Sequence, residues 1–136
     1  MRRLMLTALA CLALAACKDE AAADPLELLG MGVEWHVTEI AGTPVPAGVS
    51  VTIARPEDGM IAGSSGCNRY SGRVSTHDGK LEIGALAGTR MACFGPAEEV
   101  ERAFHSTIGR AKDAQMAGDT LELTDAAGKV LIRAMK

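Results

Sequence analysis

A mainly β domain, a small and partly open antiparallel barrel of about seven or eight strands with one helix packed on it, is the fold this sequence predicts. Three observations carry that expectation. Short runs alternate apolar with polar residues, turn signals rich in Gly, Asp and Pro separate the runs, and the period changes to helical spacing once, late in the chain.

A segment of a different kind comes first. The opening MRRLMLTALACLALAACKDE places Arg2 and Arg3 ahead of an apolar stretch from Leu4 to Leu14, eleven residues long. A helix needs about 20 apolar residues to cross the hydrocarbon of a bilayer, so this stretch has the length of a signal-peptide core instead. Leu14-Ala15-Ala16-Cys17 follows. That order resembles the bacterial lipobox, whose cysteine thiol receives a diacylglycerol before cleavage on its N-terminal side. The expectation is a signal peptide over residues 1–16, a lipidated N-terminus and tether over 17–30, and one domain over 31–136. The tether, KDEAAADPLELL, is Ala-rich and acidic and has room for a helical turn at its end. Acyl chains on Cys17 would hold the protein on a membrane, since two already give stable anchoring. Lys18 rather than Asp follows the cysteine, with Asp19 one further on. By the sorting pattern of enteric bacteria this favours the periplasmic face of the outer membrane.

Cleavage before Cys17 would leave enough chain for one core and too little for two. It also removes Arg2 and Arg3, so 14 basic residues fall to 12 against 17 acidic and the formal charge moves from −3 to −5. An acidic domain with one Trp, one Tyr and two Phe lacks the basic patch and stacking surfaces of a nucleic-acid binder. Of the four cysteines, Cys11 leaves with the signal and Cys17 takes the lipid, so Cys67 and Cys93 remain. In an oxidising periplasm they are expected to pair, stabilising the domain by roughly 3 kcal/mol on the chain-entropy model. The alternative is two buried, inert thiols.

The strand pattern begins where Val33, Trp35 and Val37 alternate with Glu34, His36 and Thr38, and ends at Gly42-Thr43-Pro44-Val45-Pro46. Val49, Val51 and Ile53 form the next run, Pro56-Glu57-Asp58-Gly59 turns the chain, and Met60 to Ser64 returns it. Tyr70 to Ser75 and Lys80 to Ile83 flank His77-Asp78-Gly79 as a tight hairpin. Val100, Phe104, Ile108 and Ala111 then fall at helical spacing. Pro96 suits a first helical position, and Glu98, Glu99 and Glu101 suit the positive end of the helix dipole, which predicts a helix over 96–110. Three more runs follow at Ala114 to Met116, Thr120 to Thr124 and Lys129 to Ala134. Closure into a partly open barrel is how a sheet of this length limits its exposed edges.

The most specific text lies between these elements: Gly63-Ser64-Ser65-Gly66-Cys67-Asn68-Arg69-Tyr70-Ser71-Gly72, then Leu86-Ala87-Gly88-Thr89-Arg90-Met91-Ala92-Cys93. With Trp35 in the first strand and the Glu-rich helix behind, the chain from residue 31 to 135 resembles the META domain family, and within it the heat-shock lipoproteins. The resemblance implies a small β-rich domain of lipocalin-like topology in the bacterial envelope, linked to stress response. Read physically, Gly66 and Gly72 mark places of positive φ or close approach, and Asn68 is a turn residue that can bond nearby backbone.

Sharper chemistry finds little support. Gly63-Ser64-Ser65-Gly66-Cys67 only approximates the hydrolase elbow and leads into a strand. His77 and Asp78 are adjacent in a turn that should point their side chains apart. His36, His77 and His105 are scattered, with neither Cys-x-x-Cys nor His-x-x-x-His, so no zinc site, no metal and no cofactor is expected. Arg69 and Arg90 both lie in the motif segments, and a Cys67–Cys93 bridge would bring their guanidiniums near each other as a possible clamp for a carboxylate or phosphate. The expectation is a non-enzymatic binding module whose partners are the membrane and an envelope protein, not nucleic acid. The alternative is a carrier of a lipid or small hydrophobic ligand in a pocket lined by Met60, Ile83 and Met91.

Overall fold

The alternating runs become neighbours in one bent antiparallel sheet. The computed structural model describes residues 22–136, so the signal segment, Cys11 and Cys17 lie outside the described residues. A short helix α1 (Pro25–Leu29) precedes β1 (Glu34–Ile40), the two-residue β2 (Thr43–Pro44), β3 (Ser50–Ala54), β4 (Met60–Gly66), β5 (Arg69–His77), β6 (Lys80–Ile83) and the two-residue β7 (Ala87–Gly88). Helix α2 (Pro96–Ile108) follows, then β8 (Asp113–Ala117), β9 (Thr120–Thr124) and β10 (Val130–Met135). The strand order is β6-β5-β4-β3-β1-β10-β9-β8, with β2 paired to β1 and β7 to β5.

The sheet is not closed. Between β6 and β8 the seam is crossed by the Leu81 N–H donating to the Lys112 carbonyl at 2.8 Å and by Lys80 Nζ on Asp113 Oδ2 at 2.9 Å. On the other side β1 pairs with β3 only over Glu34–His36 and with β2 over Glu39–Ile40, so the sheet splits there. Helix α2 packs against β4, β1 and β10.

Alternation places Trp35 and Val37 of β1 inside, a register shift between Val37 and Glu39 brings in Ile40, and Ile53, Ile61, Leu121, Leu123 and Ile132 join from other strands. Phe104 of α2 is fully buried, which stabilises by about 2–3 kcal/mol relative to exposure. Among the described residues the buried set runs from Leu29 to Ala134.

Residues 25–30, read from the sequence as the end of the tether, pack against the barrel. Leu29 is buried, α1 lies against β8, β5 and β6, and the Trp35 indole N–H donates to the Leu29 carbonyl at 2.8 Å. Buried Arg55 adds a bond from Nη1 to the Leu26 carbonyl at 2.6 Å. A five-residue helix has too few turns to show a period, which is why its sequence reads as linker.

Candidate functional site

The two motif segments meet at the turn between β4 and β5. Cys67 and Cys93 are joined in a disulfide with Cα atoms 6.1 Å apart, tying the strap of residues 84–95 to that turn. The bonded sulfurs and the Glu101 carboxylate lie close together, but a disulfide offers no thiolate, so the trio is not a zinc set.

Asn68 organises the rest. Its Oδ1 accepts from the Met91 N–H at 2.7 Å and the Thr89 hydroxyl at 3.0 Å, and its Nδ2 donates to Glu101 Oε2 at 2.9 Å. The Asn68 main-chain N–H and the Ser65 hydroxyl both donate to Glu101 Oε1, at 2.8 and 2.6 Å. Thr89 Oγ1 in turn accepts from the Arg69 N–H at 3.1 Å. Burial alone would raise the Glu101 pKa. The donors Ser65 and Asn68 outweigh it, helped by the charge of His105, and hold the carboxyl below its ordinary value.

Glycine is required where segments touch. Gly66 has φ +120°, and a side chain there would press on the Ala97 carbonyl and Val100 of α2. A Cβ on Gly88 would fall 2.5 Å from the Arg69 carbonyl oxygen, so the strap could not pair so closely with β5. Tyr70 faces inward beside Phe104, its ring centroid 5.0 Å away, and its hydroxyl donates to the Thr52 carbonyl. Burial pushes the Tyr70 phenol well above its usual range, so it is a fixed donor.

The strap therefore has a spent polar side and a free outer side. Met91 is 61% exposed and Phe94 81% exposed. Arg69 and Arg90 flank Thr89 and are both exposed, and neither pairs with a carboxylate among the described residues. Below the strap a groove of about 240 Å³ runs between β2 and α2, walled by Ile40, Pro44, Val45, Pro46, Pro96 and Val100, with Glu99 beside them.

The remaining sequence candidates stay apart. Met60 and Ile83 line different open clefts and Met91 points outward, so the three share no carrier pocket. His36, His77 and His105 are exposed and separate. His77 and Asp78 correct one expectation: Asp78 has φ +50°, and its carboxylate lies 3.4 Å from His77 Nε2. Ser64 of the hydrolase-like segment lies away from this pair, since it pairs with Arg69 at the far end of β5 and bonds the Ser50 carbonyl.

Solved structures share this architecture. An NMR structure of a protein from Burkholderia xenovorans is 31% identical, with a TM-score of 0.63 over 81% of this chain and 85% of that one. A second NMR structure is 27% identical, with a TM-score of 0.56 over 75% and 87%. The crystal structure of a DUF4847 family protein from Bacteroides vulgatus, 17% identical with a TM-score of 0.56 over 80% and 94%, shares the fold alone. No curated protein matches the chain. The META domain profile matches residues 26–136, and the chain belongs to the META domain family.

Proposed function

We propose that this protein is an envelope lipoprotein anchored through Cys17, and that its META domain is a non-enzymatic interaction module serving envelope integrity or stress response. One observation carries the reading. The polar groups of the motif hold the strap from behind, leaving Phe94 and Met91 presented outward on a fixed backbone. Aromatic and arginine side chains on preorganised backbone are the usual anchors of protein contacts, and Arg69 and Arg90 stand beside them.

The placement of the tether supports the same reading. Ala22 and Ala23 emerge beside Lys80 and Asp113, near the β5–β6 hairpin, whereas the strap meets the opposite end of β5. Eight residue steps along β5 separate the two ends by about 26 Å. The described chain thus enters the domain at one end of the sheet, and the contact surface lies at the other.

Native mass spectrometry of residues 18–136, exported to a periplasm without the anchor, tests the proposal. A chain free of extractable cargo is the expected result. Extra mass that partitions into organic solvent would overturn it in favour of a lipid carrier. Intact mass of the full-length product should show acyl chains on Cys17 and lose them in Cys17→Ser.

A further inference from the structure

We infer that the strap face is self-complementary and that the domain pairs with a second copy of this chain, Phe94 of each filling the apolar groove of the other. The inference rests on the strap being a contact surface and names its partner.

Knob and socket lie side by side. Cys93, fixed by its bridge to Cys67, immediately precedes Phe94, and Gly95 alone separates Phe94 from Pro96 on the groove wall. The groove of about 240 Å³ exceeds the ~150 Å³ that accommodates a benzene ring, and proline and aliphatic side chains wall it. A two-fold interface brings one patch against itself, so a patch holding both a projection and a matching hollow makes the contact twice.

The charges agree with that arrangement. Arg69 and Arg90 on the strap side have no carboxylate partner among the described residues, and Glu99 beside the groove has no cationic one. Rotation by a half-turn sets the cationic half of the patch against the anionic half of its copy. The patch has fewer residues than the ~20–30 a side of a standard interface, so the dimer is weak in solution. Sharing a membrane plane would raise its population.

Sedimentation equilibrium of residues 18–136, the same unanchored chain, decides the matter at concentrations up to about 1 mM. The expected result is a monomer–dimer equilibrium. Phe94→Ala should weaken it at least about a hundredfold, because an anchor worth at least about tenfold is removed twice. Pro46→Glu, at an exposed position on the groove wall, should act in the same direction. Mixing the two variants should restore partial association, since the Pro46→Glu copy keeps its Phe94 and the Phe94→Ala copy keeps its groove. A wild-type monomer throughout, or a dimer indifferent to Phe94→Ala, overturns the inference. In either case a cargo-free mass spectrum would still leave the interaction module standing.

Discussion

Glu101 receives both N–H groups of Asn68, the main-chain donor on Oε1 at 2.8 Å and the side-chain donor on Oε2 at 2.9 Å. One helix carboxylate thereby fixes the β4–β5 turn, and through the other face of the Asn68 amide it fixes the strap. Asn68→Ala removes the amide and leaves the Met91 N–H and a carboxylate oxygen without their partners. Loss of a charged hydrogen bond together with a stranded donor predicts destabilisation of about 2–4 kcal/mol, measured by urea unfolding. Asn68→Asp should be no milder, because it sets two carboxylates against each other.

The state of Glu101 also sets a pH dependence. Its folded pKa lies below the ordinary 4.5, so the folded state binds this proton less readily than the unfolded chain does. The contribution is therefore complete above about pH 5 and is lost as pH falls through 4.5 and then the lower folded value. Thermal melts of wild type and Glu101→Gln should differ by a constant amount from pH 8 to pH 5 and draw together as the pH falls below 4.5. A gap that does not narrow at all as the pH falls below 4.5 would show that the carboxylate charge is not what holds the turn.

The Cys67–Cys93 bridge closes a loop across a sequence separation of 26 residues. On the chain-entropy model its removal costs about 3 kcal/mol. The Asn68 bonds remain after reduction, so the strap should stay docked while opening more often. Hydrogen exchange on the Cys67→Ala/Cys93→Ala variant should rise more at Thr89 and Met91 than at Leu121 and Leu123, whose buried strand reports the loss of global stability. Uniform loss of protection would place the strap within the global folding unit instead.

What the sequence makes legible follows from the range of the interactions involved. Strand runs such as Thr120 to Thr124 and the helix starting at Pro96 are periodic patterns written in consecutive residues, and their positions agree with β9 and α2. The Cys67–Cys93 pairing is legible in another way, from the two cysteines left once Cys11 and Cys17 are set aside. Asn68 is harder: its type predicts local bonds, yet its main partners lie 23 and 33 residues away. Glu101 looks like any exposed helix acid until the fold brings Ser65 and Asn68 to it. Strands β2 and β7, two residues each, are too short to carry a period. The groove has no signature at all, because Pro44 and Val100 meet only where the sheet splits under α2.

The short helix α1 gives a last test, because its place in the core depends on few bonds. The Trp35 indole N–H reaches the Leu29 carbonyl, and the Arg55 guanidinium reaches that of Leu26. Trp35→Phe keeps an aromatic ring in the core but strands the Leu29 carbonyl and leaves a small void. A lost buried bond and partial cavity predict about 2–3 kcal/mol of destabilisation. Arg55→Met removes a buried cation whose Nε has no partner, so its cost should be smaller than loss of the Leu26 bond alone suggests. Limited proteolysis separates local from global effects. If α1 is held by these two bonds, both variants should be cut near residues 22–30 before the barrel opens, and Trp35→Phe should be cut faster. Cleavage there only at the rate of global unfolding would mean that burial of Leu29, rather than either bond, keeps the helix in place.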